Sequence, residues 1–417
     1  MHHMNTTGWR SVLAGSQMLF VAFGALVLMP LITGMSPSVA LFTAGLGTLI
    51  FQFVTRGQVP VFLASSFAFI APILYSNQTW GLPATLGGLV AAGMAYLLLS
   101  LLVHLRGPAF IHRLLPPVVV GPVIMVIGLG LASTAVNMAT GKAGDGSGQL
   151  VDYSTALIIS MAALATTIAV AVYARGVFRL IPIMAGVLVG YSLSWALGVV
   201  DFSPIQNAAW VAMPAFVSPE LHWGAILFML PVAIAPAIEH IGDVLAIGSV
   251  TGKDYLDKPG LHRTLMGDGL ATSAAALLGG PPNTTYSEVT GAVMLTRNFN
   301  PVVMIWAAVF AIGLAFVAKF GAMLLTMPVP VMGGILCLLF GSIAVVGMNT
   351  LIRNQVDLTQ ARNLCIVSVT LIFGIGGMAI GNDQFALQGI SLCGVVAILL
   401  NLLLPAETPV PVVTLAD

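Results

Sequence analysis

The sequence predicts an all-α polytopic membrane protein with fourteen transmembrane segments in two halves of seven, the second inverted relative to the first. Three observations predict it. Of the 417 residues, 58% are hydrophobic and only 7% are charged, whereas about 25% are charged in a soluble domain. With fourteen segments, nearly all basic residues fall on the same side of the membrane. Finally, two short, interrupted apolar runs occupy matching places in the two halves.

About 20 apolar residues cross a bilayer as a helix, and proline, glycine and charged residues mark the ends of each run. In the first half we predict segments 1 to 7 near residues 12–32, 38–55, 61–76, 82–104, 115–137, 154–173 and 178–198. In the second half we predict segments 8 to 14 near residues 224–250, 264–279, 281–296, 301–325, 329–347, 364–380 and 385–404. The polar stretch 201–222, with Trp210 and Trp223 near its end, predicts an interfacial connector.

The basic residues test this count independently of hydropathy. If the N-terminus is cytoplasmic, all of the 14 basic residues except Lys142 and Lys319 fall on the cytoplasmic side, as the positive-inside rule expects. The residues on that side are Arg10, Arg56, Arg106, Arg113, Arg175, Arg179, Lys253, Lys258, Arg263, Arg297, Arg353 and Arg362. A missed or invented segment would move every later loop to the other side of the membrane and would destroy this agreement. Fourteen segments return the chain to the side on which it began, so both termini are expected in the cytoplasm.

Seven segments per half is an odd number, so homologous halves must be inverted in the membrane. Inverted repeats are a common plan of secondary transporters, in which broken helices hold the substrate near the midplane. Segments 3 and 10 fit that role, because each is short and carries a hydroxyl pair followed by an aromatic residue, Ser65-Ser66-Phe67 and Thr284-Thr285-Tyr286. The alternative is that both are ordinary kinked helices.

Three carboxylates lie at membrane depth, where a charged group is costly and tends to have a function. Glu239 and Asp243 are four residues apart, so on a helix they share one face, about 6 Å from each other. Two carboxylates this close in a low dielectric should not both be ionised, which suits a proton-coupled carrier. The alternative is a structural pair neutralised by Lys319 or by a backbone amide. His240 points away from Glu239 and is interpreted as a packed or interfacial residue rather than a ligand.

The third carboxylate, Glu288, follows Tyr286 and Ser287 at the expected start of a half-helix. A helix N-terminus offers free backbone N–H groups to acceptor oxygens, while the carboxylate suits N–H donors. A planar heterocycle with alternating N–H and C=O groups would satisfy both. Tyr286 or Phe67 could cover its face, although aromatic residues at such positions are as often plain packing.

Several other classes of site and partner are not indicated. The zero net charge argues against a nucleic-acid partner. Cys337, Cys365 and Cys393 match neither a metal site nor a disulfide framework. No phosphate loop or nucleophile constellation is present, so no cofactor and no enzymatic activity are expected. Asp268, near the start of segment 9, is interpreted as a helix cap.

The chain resembles the nucleobase/ascorbate transporters, and within them the uracil permeases, through nearly its whole length. The matching motifs are 23–30, 65–70, 115–118, Ile238-Glu239-His240-Ile241-Gly242, 259–263, Asn283-Thr284-Thr285-Tyr286-Ser287-Glu288, Gly291, Thr296-Arg297 and 328–334. The resemblance implies short antiparallel β-strands in segments 3 and 10, proton-coupled symport of a free nucleobase across a bacterial inner membrane, and a homodimer.

The resemblance also implies a division into domains. A core domain would comprise residues 1–105 and 223–326, with segments 1–4 and 8–11. A gate domain would comprise residues 106–200 and 327–417, with segments 5–7 and 12–14 and the C-terminal tail. Residues 201–222 would connect the halves.

Carried over by position, the resemblance assigns the site residues. Glu239 and Glu288 would bind the base through its N–H groups, the main chain at Phe67 and Ser287 would donate to its carbonyls, and Tyr286 would help to wall the pocket. Asp243, with Glu239 and Glu288, would take part in proton coupling.

Three positions depart from the uracil permeases. Asp243 stands where they usually have a histidine, as in the xanthine and urate branch, Met18 replaces a histidine in segment 1, and Val289 replaces an asparagine. Glu288, in contrast, is like the uracil branch. Uracil is therefore the favoured substrate, a purine such as xanthine, urate or guanine is the first alternative, and an anion carrier or channel is the second.

Overall fold

The structure, a computed structural model, describes residues 8–107, 113–382 and 385–405, and the residues after 405 of the predicted C-terminal tail lie outside these ranges. In the first half, segments 1, 2, 4, 6 and 7 are the helices Gly8–Thr33, Pro37–Val54, Leu82–Arg106, Tyr153–Tyr173 and Pro182–Ala196. Segment 3 ends in the helix Ile70–Trp80, and segment 5 is the pair Pro117–Leu129 and Ala132–Ala139.

The second half follows the same plan. Segments 9, 12, 13 and 14 are the helices Leu261–Leu277, Val329–Arg353, Ala361–Ile375 and Gly389–Leu403, and segment 10 ends in the helix Ser287–Thr296. Segment 8 is the pair Trp223–Val232 and Ile234–Thr251, and segment 11 is the pair Val302–Ala315 and Ala318–Leu325. The connector contains one short helix, Ser203–Asn207.

Local sequence accounts for the starts of two helices. Ser36 caps segment 2 by accepting a hydrogen bond from the Val39 N–H at 3.4 Å, and Pro37 occupies the first helical position, where a missing N–H costs nothing. Asp152 caps segment 6 by accepting from Ser154 N–H at 3.1 Å. Both caps lie outside the apolar runs, so they set where each segment enters the bilayer.

Seven of the described helical stretches are long and apolar enough to cross a membrane alone, namely segments 1, 2, 4, 5, 6, 8 and 12. Segments 7, 11, 13 and 14 contain shorter apolar helices. Segments 3 and 10 are broken by strands, and segment 9 carries Arg263 and Asp268. The fourteen predicted segments are therefore all present.

The helix contacts follow an inverted repeat. Segment 2 packs against segment 11 and segment 9 against segment 4, while segments 6 and 7 pair as segments 13 and 14 do. If each segment is replaced by its equivalent in the other half, the contact between segments 2 and 11 becomes the contact between segments 9 and 4. In the same way, the pair 6 and 7 becomes the pair 13 and 14. An odd number of crossings per half makes this repeat inverted, as predicted. The most extensive contacts fall within segments 1–4 and 8–11 or within segments 5–7 and 12–14, and the division into core and gate domains stays a prediction.

One end of the molecule collects basic residues, and we call it the basic end. There Arg263 Nη1 donates to the Val54 carbonyl at 3.4 Å, and Arg362 Nη2 donates to the Asn401 carbonyl at 2.9 Å. The Asn401 side chain donates in turn to the Arg113 carbonyl at 3.2 Å. At the opposite end Lys319 Nζ donates to the Ile205 carbonyl at 3.0 Å. The assignment of the basic end to the cytoplasm stays a prediction.

The turn between segments 13 and 14 differs from the prediction. Residues 379–380 and 385–388 were expected in helices, but Ala379–Asn382 and Phe385–Gln388 form a two-stranded antiparallel hairpin. Glycine explains the early end of segment 13, because Gly376 and Gly377 follow the helix and Gly377 adopts a φ of +71°.

Candidate functional site

Segments 3 and 10 meet at their strands. Strand β1, Ala64–Ser65, pairs antiparallel with strand β2, Asn283–Thr284, with Ala64 opposite Thr284 and Ser65 opposite Asn283. One further backbone bond, from Ser66 N–H to the Pro282 carbonyl at 2.9 Å, extends the pairing. The short antiparallel strands that the resemblance implies are confirmed, and they join the two halves of the repeat at one point.

Neighbouring segments satisfy further backbone groups of the extended stretches, which would otherwise lack partners in a buried position. From segment 2, Gln52 Nε2 donates to the Val59 and Val61 carbonyls at 2.9 and 3.0 Å. From segment 9, Thr272 donates to the Asn283 carbonyl at 2.8 Å. The Asn283 side chain donates to the Thr43 carbonyl at 2.9 Å, so the strand pair is held from both sides.

Each strand leads into a short helix that starts inside the protein. In segment 3 a 3-10 turn at Phe67–Phe69 precedes the helix, and in segment 10 the helix begins at Ser287 directly after Tyr286. The first N–H groups of a helix have no intrahelical partner and carry its positive dipole end. Both helices thus direct free donors towards the strand pair.

Two aromatic rings flank this junction. The Phe67 and Tyr286 ring centroids are 6.1 Å apart, and the Tyr286 hydroxyl donates to the Ser65 carbonyl at 3.3 Å. Phe340 of segment 12 packs edge-on against Phe67 with centroids 6.2 Å apart. Phe340 carries no signal in the sequence beyond its apolar run, so the prediction missed it.

The three predicted carboxylates come together beside the strands. Glu239 is half-buried on segment 8, Glu288 is exposed in the first turn of the segment 10 helix, and Asp243 is buried one turn after Glu239. Glu239 lies close enough to Asp243 and Glu288 to interact with both electrostatically. Among the described side chains, none forms a hydrogen bond or an ion pair with Glu239 or Glu288. Two carboxylates at the centre of the fold are therefore available to bind donors.

Lys319 does not neutralise these carboxylates. Its ammonium group donates to the Ile205 carbonyl and lies 5.1 Å from the centre of the Trp210 ring, both in the connector at the end opposite the basic end. The alternative of a structural pair neutralised by Lys319 is therefore wrong.

Behind the strands lies a buried polar cluster that the sequence analysis did not assemble. Asp268 Oδ2 accepts from the Thr284 hydroxyl at 2.9 Å and lies 3.1 Å from His240 Nδ1. The Thr285 hydroxyl donates to Asp243 Oδ2 at 3.0 Å. The interpretation of Asp268 as a helix cap is wrong: the helix starts at Leu261, so Asp268 lies two turns inside it, fully buried. The fully buried position of His240 agrees with its interpretation as a packed residue.

A row of exposed or half-buried positions, which we call an open stripe, leads from each glutamate to the basic end. On segment 8 it runs from Glu239 through Gly242 to Ser249, and on segment 10 from Glu288 through Gly291 to Leu295, each on one helix face. No atom of another part of the described chain lies within 4 Å of the point where a Cβ would stand at Gly242 or Gly291. These glycines keep both faces unobstructed.

The equivalent stripe in the first half is closed. Aligning Ser65-Ser66-Phe67 with Thr284-Thr285-Tyr286 places Phe69, Pro72 and Ser76 opposite the three residues of segment 10, and all three are buried. The glutamates are therefore reached from the basic end and are covered at the other end. This asymmetry cannot be read from a repeat in the sequence, because both halves have the same pattern.

No metal centre is indicated. Among the residues that the structure describes, no group of three histidine, cysteine, aspartate or glutamate side chains could hold a metal ion. Cys337, Cys365 and Cys393 are separate free thiols in segments 12, 13 and 14.

Residues 10–383 match the family model Xan_ur_permease, described as a permease family. The chain belongs to this family. It is 60% identical over 403 residues to a probable uracil permease of Pasteurella multocida, covering 97% of this chain and 95% of that protein. A probable uracil permease of Haemophilus influenzae is 59% identical over 401 residues, covering 96% of each chain. The permease is therefore a membrane transporter and not an enzyme.

Solved structures extend the comparison to the fold. The permease is similar to the transmembrane domain of the cyanobacterial bicarbonate transporter BicA, with a TM-score of 0.64, 13% identity, and coverage of 96% of this chain and 98% of that one. At this identity the likeness concerns the fold alone. The family resemblance and the fold class predicted from the sequence are both confirmed, while the roles of the site residues stay predictions.

Proposed function

We propose that the permease takes up uracil by proton symport. The observation that carries the proposal is the pair of unpartnered glutamates, Glu239 and Glu288, beside two helix N-termini in a chain that is about 60% identical to proteins named as probable uracil permeases. A small neutral base with both donors and acceptors matches these groups better than an anion does, because carboxylates repel an anion.

The chemistry of uracil fits the arrangement. Its ring carries two N–H donors and two carbonyl acceptors in one plane. Glu239 and Glu288 accept from the N–H groups, and the main-chain N–H groups at Phe67 and Ser287 donate to the carbonyls. The Phe67 and Tyr286 rings, 6.1 Å apart, cover the base and exclude water.

Asp243 couples transport to protons. It is buried next to Glu239, and two adjacent carboxylates in a low dielectric favour sharing a proton. Taking up this proton removes a charge that would be costly to move through the closed state of a carrier. The coupling ion is therefore H⁺, and no cofactor takes part.

Alternating access follows from movement of the core domain, residues 1–105 and 223–326, against the gate domain, residues 106–200 and 327–417. With the basic end in the cytoplasm, as the positive-inside rule expects, the open stripes of segments 8 and 10 support an inward-facing state. The permease lies in a bacterial inner membrane with both termini in the cytoplasm, as a homodimer.

Uptake of labelled uracil into proteoliposomes, with and without an inward acid gradient, tests the function. We expect accumulation above equilibrium only with the gradient. Unlabelled xanthine tests the purine alternative, which Asp243 favours, and we expect it to leave uracil uptake unchanged. Uptake without any response to pH would instead favour an anion carrier or channel, and the absence of uracil uptake would refute the proposal.

A further inference from the structure

A chain of hydrogen bonds connects two buried carboxylates through His240 and Thr285. Thr285 Oγ1 donates to Asp243 Oδ2 at 3.0 Å and lies 3.4 Å from His240 Nδ1. The same Nδ1 lies 3.1 Å from Asp268 Oδ2. All four side chains are almost completely buried, so water does not compete for these contacts.

The direction of each bond follows from the number of protons available. A threonine hydroxyl has one proton, and Thr285 gives it to Asp243, so its oxygen can only accept from His240. A carboxylate oxygen next to Nδ1 accepts, so Nδ1 of His240 carries a proton. Nε2 of His240 is buried and has no partner within the described part of the chain. The orientation of the imidazole is therefore set through Nδ1 alone.

Thr285 occupies the turn between strand β2 and the helix that starts at Ser287. An ionised Asp243 accepts the Thr285 proton strongly, whereas a protonated Asp243 no longer needs this donor. The charge on Asp243 thus changes the strength of the hydrogen bond that holds this turn. Tyr286 and Glu288 follow Thr285 by one and three residues.

We propose that His240 and Thr285 are positioning residues that couple the protonation of Asp243 to the base-binding turn of segment 10. The proposal rests on the proposed proton symport. His240 holds the Thr285 hydroxyl in the orientation that reaches Asp243, and Asp268 holds His240. The proton that Asp243 takes up then loosens the turn, and its release restores the turn.

The titratable groups around this chain come from four segments. They are Tyr96 of segment 4, Glu239 of segment 8, Asp268 of segment 9, and Tyr286 and Glu288 of segment 10. The helices Pro117–Leu129 and Gly389–Leu403 also pack against segment 8 but contain no charged residue. Because these other acids respond to pH themselves, the test compares variants that leave all of them in place.

The test is the pH profile of uptake into proteoliposomes for matched variants. Thr285→Val removes the donor to the ionised form of Asp243, so the alkaline limb of the profile should move to higher pH by about one unit. Thr285→Ser keeps the hydroxyl and should restore the original limb. Thr272→Val is the matched control, because Thr272 binds the same strand at Asn283 but not Asp243.

The His240 variants test the second link. His240→Leu should move the limb in the same direction by less, and His240→Asn, whose amide N–H can replace Nδ1–H, should restore it. Combining His240→Leu with Thr285→Val should give the Thr285→Val profile, because His240 acts through Thr285. Thermal unfolding in detergent identifies any variant that loses activity only because it unfolds. Thr285→Val leaves the contact between His240 and Asp268 in place, so it keeps the test valid if His240→Leu does not fold.

The outcomes separate this inference from the proposed function. The inference would be overturned if the alkaline limb of the pH profile stayed at its wild-type position in both Thr285→Val and His240→Leu. Additive shifts of this limb in the double variant would overturn it as well. Neither result would affect the proposal of uracil symport. If the protein transports xanthine but not uracil and the limbs still shift as expected, the proposed substrate fails and the inference stands. Transport without any pH dependence would overturn both.

Discussion

The Tyr286 hydroxyl donates to the Ser65 carbonyl across 3.3 Å, and this bond joins a side chain of the second half to the backbone of the first. Both partners are buried, so the bond ties the aromatic wall of the site to strand β1. A change at Tyr286 should therefore affect the geometry of the site more than the fold as a whole.

Tyr286→Phe removes this bond and keeps the ring. We expect a loss of about 0.5 to 1.5 kcal/mol in binding, a few-fold weaker affinity for uracil, measured by calorimetry in detergent. Tyr191→Phe is the control, since the Tyr191 hydroxyl bonds to Thr326 at 2.6 Å, away from the strands. Equal affinities for both variants would show that the Ser65 bond does not shape the site.

Glu288→Gln should remove a charge-assisted hydrogen bond to the base. Such bonds contribute about 1.5 to 3 kcal/mol, so we expect at least tenfold weaker uracil binding. Glu220→Gln, a change of the same kind at an exposed position in the connector, serves as the control. Unchanged affinity in Glu288→Gln would exclude Glu288 as a ligand.

Asp243→Asn should change coupling more than binding. The amide cannot take up a proton, so uptake should lose most of its response to an acid gradient, while uracil affinity at acidic pH stays within a few-fold of the wild type. The measurement is gradient-driven uptake beside equilibrium binding, with Asp145→Asn in an exposed loop as the control. A full response to the gradient in Asp243→Asn would remove Asp243 from proton coupling.

Gly47→Ala should disturb the strand pair from behind. A Cβ at Gly47 would lie 2.7 Å from Asn283 Nδ2 and 3.0 Å from the Ala271 Cβ, so it would push on the side chain that bonds to Thr43. Overpacking of this kind costs about 1 to 3 kcal/mol, and we expect the melting temperature in detergent to fall by several degrees.

Gly313→Ala is the matched control for Gly47→Ala. Gly313 is also in a helix, and no other part of the described chain comes within 4 Å of its Cβ direction. The substitution should leave the melting temperature unchanged or raise it slightly, because alanine favours a helix. If both variants melted alike, the close approach of Gly47 to Asn283 would carry no energetic cost.

The sequence predicted the segments well because their signal is local. A run of apolar residues bounded by glycine, proline or charge identifies a span wherever it packs, and the basic residues test the count. The short, interrupted pattern of segments 3 and 10 marked both as broken segments in the same way, whereas their strands were expected only from the family resemblance. The hairpin was missed because Ala379 and Ile380 continue the apolar run of segment 13, and Phe385, Ala386 and Leu387 begin the apolar run of segment 14.

The polar cluster could not be predicted, for a different reason. Thr285 reaches Asp243 from 42 positions away, and Thr284 reaches Asp268 across 16, so no periodicity within one helix indicates either bond. Asp268 was interpreted as a helix cap because it lies near the predicted start of segment 9 and aspartate favours the cap position. The structure instead starts the helix at Leu261, which turns an expected cap into a buried acceptor.

The strand pair also has an electrical consequence. The helices that leave β1 and β2 run in opposite directions across the membrane, so their dipoles oppose each other along the membrane normal although both positive ends meet at the strands. The net helix dipole along the membrane normal is therefore small at the junction, and the membrane voltage exerts little force on it. In the proposed symport of a neutral base, voltage would therefore act on the charges of the acidic side chains and of the protons they carry.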